Sequence, residues 1–174
     1  IGAGMGASVG KAKGMATAMK TGLGISSIKL DGLIVTAVVV LNALGDIYDT
    51  DGNKIAGLLN EDLSFSSSED ALFNMQGENI FTSNTTIGAV ITNAKLTKVQ
   101  CDRVANMSHN GYARAIRPVN TSADGDSIYC ASVGDIKSNS DIVGTLSAHA
   151  VQRAIENAVY RADSAYGIKG HGEV

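Results

Sequence analysis

In Asn84-Thr85-Thr86-Ile87-Gly88-Ala89-Val90-Ile91-Thr92 a polar tail runs straight into an apolar, β-branched stretch, and a hydroxyl stands at the junction. Thr85 is the candidate nucleophile. A threonine inside a chain is a poor nucleophile because no base accompanies its hydroxyl. Cutting the Asn84-Thr85 bond supplies one. The new α-amine lies one carbon from the hydroxyl-bearing Cβ and has an unperturbed pKa of about 7.7 to 8.0, so a sizeable part is free base near neutrality. That is the N-terminal-threonine version of a hydroxyl and its base. The same hydroxyl can first attack its own preceding carbonyl, forming an ester by an N-to-O acyl shift that water then opens, so one residue serves two reactions. Read by themselves, these residues are also simply the start of a strand with β-branched side chains.

Residue types and spacing exclude several other chemistries. Gly10-Lys11 invites a phosphate-loop reading, but Met5 stands where the leading glycine belongs and Ala12 where Ser or Thr must follow the lysine. No strand precedes Gly2 to support a dinucleotide fingerprint. His109, His149 and His171 lack HExxH or Cys/His spacing and read as solvated or partly packed side chains, and Asp124-Gly125-Asp126 is too incomplete for a calcium loop, so no metal or cofactor is expected. Cys101 and Cys130 have neither metal nor redox spacing and read as small buried hydrophobes. A net charge of -3 without a basic run gives no footprint for nucleic acid or an anionic membrane. The most apolar run, Leu33 to Leu41, contains Thr36 and falls well short of the roughly 20 residues needed to span a bilayer. The chain starts at Ile1 without a charged signal region, which suggests a piece of a longer, cytoplasmic protein.

The elements that must position Thr85 follow from pattern. At 174 residues the chain fits one domain with a real core, and its 20 glycines beside only 5% aromatics imply close backbone packing. Residues 1–32 read as a glycine-spaced loop with solvated lysines. Gly32 to Asn42 is a nearly continuous β-branched run, as expected of a central strand covered on both faces. Asp51-Gly52-Asn53 is a turn from which Lys54 to Leu58 returns as a hairpin partner. From about 60 to 84 the composition turns polar, around Ser66-Ser67-Ser68-Glu69-Asp70, and reads as a mobile linker ending at the scissile bond. After the strand from Thr85 to Thr92, Thr97-Lys98-Val99-Gln100 fits a capping box for a helix reaching about Arg114, which Pro118 stops. Asp124-Gly125-Asp126 turns into a strand from Ser127 to Val133. Ser140 or Asp141 caps a last helix, whose Ile142, Val143, Leu146, Ala150, Ala154, Ile155, Ala158 and Val159 keep helical spacing. The order predicts α/β layers, sheet packed on sheet between helices.

Five separated blocks agree in order with one known family: Gly2 to Lys11, Ala37 to Asp46, Asn84 to Gly88, Ala113 to Pro118, and Asp124 to Asp126. The chain resembles the self-processing L-aminopeptidase/D-esterase family, which includes β-aminopeptidases and nylon-oligomer hydrolases. The resemblance covers the later part of a family member. It implies an αββα layered sandwich, shared with ornithine acetyltransferases, and self-cleavage before Ser or Thr. Residues 1–84 would then end the α piece and 85–174 form the β piece of one domain. It also implies an N-terminal half of the precursor, carrying a tyrosine that helps bind the oxyanion in some members, and a homo-oligomer, a tetramer in the family. Thr85 carries over as nucleophile and Asn84-Thr85 as the autocleavage site. Asn42 matches the asparagine whose amide donates to the oxyanion. Lys11 matches a site lysine of the nylon-oligomer branch, placed to bond the Thr85 hydroxyl. Asp124 and Asp126 match an acidic pair of that branch, where β-aminopeptidases have Ser and Glu, and would orient the Thr85 amine. The implied function is an N-terminal-nucleophile amidohydrolase or aminopeptidase. Its expected substrates are small peptides, amino-acid amides or esters, or nylon-type oligomers. Alternatives are an ornithine acetyltransferase-like acyl transferase, which the acidic pair disfavours, and a non-catalytic subunit with the bond intact.

Overall fold

The computed structural model describes residues 2–75 and 84–174. In chain order these form β1 (Ser8–Val9), β2 (Met19–Lys20), β3 (Leu23–Leu30), β4 (Leu33–Val40), β5 (Asp46–Tyr48) and β6 (Lys54–Ala56). There follow α1 (Ser68–Asn74), β7 (Ile87–Ala94), α2 (Lys98–Ala115), β8 (Ile116–Arg117), β9 (Ser127–Ile136) and α3 (Ser140–Tyr160). Among the described residues the main sheet has the order β3-β4-β7-β9, antiparallel except for the parallel pair β7 and β9, which α2 connects. A parallel pair needs such a crossover, and the helix that makes it lies back on the sheet. Two smaller sheets, β1-β2 and β6-β5-β8, complete the topology.

The core lies between the main sheet and the two long helices. Leu33, Val35, Ala37 and Val39 of β4 and Val90 of β7 point to that side and are buried, against Val143, Ala150, Val151, Ala154 and Ile155 of α3 and Val104 and Tyr112 of α2. α3 approaches β3 so closely that a Cβ on Gly24 would lie 1.8 Å from the Ala154 carbonyl oxygen. Only glycine fits there. Thr97 caps α2 in the expected box, its hydroxyl accepting from the Gln100 N–H while the Gln100 side chain accepts from the Thr97 N–H. No helix among the described residues is long and apolar enough to cross a membrane.

Several expectations need correction. The loop expected over residues 1–32 contains the full-length strand β3, joined to β4 by the Asp31-Gly32 turn, whose two residues have φ of 45° and 83°. β4 is central, but only one of its faces is buried; Ile34, Thr36, Val38 and Val40 on the other face are half exposed. The linker expected over about 60–84 is folded in its described part. α1 is capped by Ser67, and Ser68 is buried with its N–H and hydroxyl donating to Asp46 at 2.9 and 2.6 Å. The buried Asp46 carboxylate also accepts from Lys54 Nζ at 2.6 Å and the Leu58 N–H at 2.9 Å, so one side chain anchors β6, the segment after it and the start of α1. The rest of that linker lies outside the described residues. The last helix is capped by Asn139 rather than Ser140 or Asp141. α2 ends at Ala115, where the chain passes into β8 before it reaches Pro118.

Candidate active site

Thr85 and Thr86 immediately precede β7, at the end of the main sheet where β4 runs out into Asn42. The two backbone groups of the candidate bond, and both of Thr86, are held. The Thr85 N–H donates to the Asn42 carbonyl at 2.9 Å. The Asn84 carbonyl accepts from the Gly125 N–H at 3.0 Å and from the Thr85 hydroxyl itself at 2.6 Å. The Thr86 N–H donates to Asp126 Oδ1 at 2.7 Å, and the Thr86 carbonyl accepts from the Ser127 N–H at 3.1 Å and the Tyr112 hydroxyl at 3.3 Å. The hydroxyl of Thr85 is therefore fixed beside the carbonyl that an N-to-O shift must attack, and that carbonyl oxygen already has a backbone donor.

Asn42 and Lys11 form one unit. Lys11 Nζ donates to Asn42 Oδ1 at 2.8 Å, and the Ser8 N–H reaches the same oxygen at 3.3 Å. Two donors on one atom fix the amide orientation, so Nδ2 is the end available as a donor to an oxyanion. Lys11 is only 1% exposed, and burial pushes its ammonium down to about 8, against the opposing pull of Asp124 and Asp126. The expected bond from Lys11 to the Thr85 hydroxyl is not made: the amine is committed to Asn42 and the hydroxyl to Asn84.

The two aspartates divide their work. Asp124 Oδ2 accepts from the Thr121 N–H at 2.9 Å and the Thr121 hydroxyl at 2.7 Å, closing its own turn, while Asp126 grips the backbone of Thr86. Asp124 Oδ1 and Asp126 Oδ2 are buried and have no hydrogen-bond partner among the described residues. Burial pushes the Asp126 carboxyl above its ordinary range; the Thr86 N–H pulls it down and the Asp124 charge pushes it further up. Burial, and then Asp126, hold the Tyr112 hydroxyl in its protonated form.

All five expected site residues, Lys11, Asn42, Thr85, Asp124 and Asp126, thus belong to one region. Sequence reasoning missed Gly125, which it treated as turn filler. A Cβ there would lie 2.7 Å from the Thr85 hydroxyl oxygen. It also missed Ser8 and Tyr112, whose roles come from tertiary contact and left no local pattern. Of the histidines, His149 is exposed, His109 stacks edge-on against Tyr112 with ring centroids 5.3 Å apart, and His171 bonds the Ile55 carbonyl at 2.8 Å. No group of three or more His, Cys, Asp or Glu able to hold a metal occurs among the described residues.

Peptidase family S58 matches residues 1–173. An uncharacterised aminopeptidase of Mycobacterium leprae is 34% identical over 188 residues, covering 97% of this chain and 50% of the relative. The 6-aminohexanoate-oligomer endohydrolase of Agromyces sp. is 32% identical over 142 residues, covering 78% of this chain and 39% of the relative. The chain thus spans half or less of the length of these two relatives. Among solved structures, the L-aminopeptidase D-Ala-esterase/amidase of Ochrobactrum anthropi, described as a variant of the Ntn hydrolase fold, superposes with a TM-score of 0.63 at 17% identity. That superposition covers 96% of this chain and 46% of the other. The likeness is one of fold, which is the α/β Ntn-type architecture.

Proposed function

The chain belongs to peptidase family S58, and from that premise we propose that it is the part of a self-cleaving amidohydrolase that carries the threonine nucleophile. In self-cleavage the Thr85 Oγ attacks the Asn84 carbonyl carbon, with the Gly125 N–H on the developing oxyanion. The C–N bond breaks, the proton ends on the Thr85 nitrogen, and water opens the ester. The freed α-amine then serves the same hydroxyl as base against an incoming amide. Asn42 Nδ2 donates to the second oxyanion, and Lys11, as a cation, polarises that amide through Oδ1. Asp126 and Asp124 offer their unpartnered oxygens to the α-ammonium when it carries the proton. The observation that carries this reading is the Thr85 hydroxyl held 2.6 Å from the oxygen of its own preceding carbonyl, with Gly125 and Asn42 fixing both sides of the bond.

The relatives' names make amides with a free amino end, small peptides and short 6-aminohexanoate-type oligomers, the substrate class to try first. The partner proposed is the N-terminal half of the precursor, in a cytoplasmic homo-oligomer. Denaturing mass spectrometry of that precursor is the test. Wild type is expected to give two fragments, one beginning at Thr85, and Thr85→Ala to stay whole and inactive. A wild-type chain that remains whole after long incubation would make the protein an uncleaved, non-catalytic subunit.

A further inference from the structure

The hydrolytic reading leaves two nucleophilic side chains unused. Cys101 and Cys130 are both free thiols and both partly exposed, rather than the buried hydrophobes their spacing suggested. Cys101 stands in the first turn of α2. Cys130 lies midway along β9 in the register row of Val90 and Ala37, both buried on the helix side of the sheet, so its thiol is directed toward α2. The two cysteines line one surface cavity of about 280 Å³, together with Lys98, Asp102 and Tyr129. Such a cavity admits a small disulfide.

We propose that Cys101 and Cys130 form a dithiol site that a low-molecular-weight disulfide oxidises to an intrachain bond, tying the first turn of α2 to β9. The Cys101 thiolate attacks one sulfur of the oxidant RSSR, forming Cys101–S–S–R and releasing RS⁻. Cys130 then attacks Cys101 sulfur, closing the Cys101–Cys130 bond and releasing the second RS⁻. Two protein thiols are oxidised, RSSR is reduced to two RSH, and the thiol protons end on the released thiols. Cys101, in the first turn of α2 with Lys98 three residues before it in the same cavity, is the thiol that attacks first. Burial pushes the Cys130 thiol up to about 12, and the neighbouring Cys101 thiol adds to the shift, in keeping with their proximity. Cys130 is therefore the resolving partner. The bond would pin α2, which carries Tyr112, against the strand whose first residue, Ser127, bonds the Thr86 carbonyl.

The experiment treats the full protein with oxidised glutathione and reads intact mass under denaturing, non-reducing conditions. The expected product is a monomeric chain lighter by two hydrogen atoms, with no adduct, a cross-linked Cys101–Cys130 peptide pair after proteolysis, and a raised thermal midpoint that dithiothreitol reverses. Cys130→Ser is expected to stop at a stable Cys101–glutathione adduct, and Cys101→Ser to react markedly more slowly. Wild-type protein that ends with glutathione on both cysteines, with cross-links between chains, or with both thiols unreacted would overturn the proposal.

Discussion

Asn42 makes three contacts that matter to the site: its carbonyl holds the Thr85 N–H, and its Oδ1 takes both the Lys11 amine and the Ser8 N–H. Asn42→Ala removes the proposed oxyanion donor and leaves a buried cation unpartnered. It is expected to lower kcat by about 100- to 1,000-fold with a smaller change in KM, which steady-state kinetics on the cleaved enzyme would check. Lys11 sets a pH dependence whose sign can be worked out. Its folded pKa of about 8 lies below the ordinary 10.5, so between these values the unfolded chain binds the extra proton and stability rises with pH. Below about pH 8 the buried charge is a cost. Lys11→Met is therefore expected to melt higher than wild type at pH 7, with the gap closing as pH rises above 8, while activity falls at all pH values. In the proposed mechanism a charged Lys11 also polarises Asn42, so wild-type kcat is expected to decline through pH 8, a limb that Lys11→Met lacks. Asp126→Asn keeps an acceptor for the Thr86 N–H but removes a carboxylate whose pKa burial raises. Ionisation of such a group costs stability as pH rises through the folded pKa, so this variant is expected to match or exceed wild-type stability at pH 7. It should nevertheless self-cleave slowly, and the rise in activity as the α-amine gives up its proton should move to lower pH because the amine has lost a negative neighbour. Thermal melts beside timed mass spectra separate that outcome from a structural turn.

At the level of elements, the packing of α3 on β3 is the tightest constraint on the sheet that presents Thr85. Gly24→Ala forces a methyl onto the Ala154 carbonyl and is expected to cost about 3 kcal/mol in a chemical-denaturation midpoint, without altering the Thr85 region directly. α3 was legible because its apolar residues repeat at helical spacing, β4 because it is a nearly continuous β-branched run, and the start of α2 because the capping box at Thr97 marks a boundary by local chemistry alone. β3 was not: Ser26, Ser27 and Lys29 dilute its alternation, although Asp31-Gly32 is a hairpin signal that sets the register from Leu30 opposite Leu33. The folded part of the polar stretch was hidden for a different reason. Ser68 owes its burial to a carboxylate 22 positions earlier, a pairing no local window contains. The candidate site was legible as residue types in a resembling order, whereas the bonds among them were not: which partner Lys11 takes, or that Gly125 touches Thr85, depends on how the ends of β4 and β7 and the turn before β9 meet.

Among the described residues the main sheet has one well-buried and one bare side. The register aligns Leu23, Val40 and Ile87 in one row and Ile25, Val38, Ala89 and Tyr129 in the next, all on the side away from the helices. Ile25 is 47% exposed, Ile87 49% and Tyr129 67%, so this is a contiguous apolar patch rather than scattered residues. In the proposed precursor the chain would contribute the helix layer and one sheet of the expected sandwich. We expect residues 1–174 expressed alone to bind a hydrophobic dye and self-associate, and co-expression with the N-terminal half of the precursor to suppress both. Light scattering and dye fluorescence would check this, and a monodisperse, dye-silent chain would count against that assignment of the face.

The bridge between Asn84 and Asp124 bears on what would follow the proposed cut. A severed peptide whose two ends stay side by side is poised to rejoin, because neighbouring groups behave as if at enormous concentration. Before the proposed cut both ends are tethered, Asn84 by the Gly125 N–H and its bridge to Asp124 and Thr85 by the Asn42 carbonyl. Thr85 stays put, fastened through Asn42, Thr86, Ser127 and Tyr112, whereas Asn84 gains a negative charge at the place where Asp124 and Asp126 already stand. Like charges at close range repel. The acidic pair would thus act as an ejector, driving out the departing end and making the cut one-way.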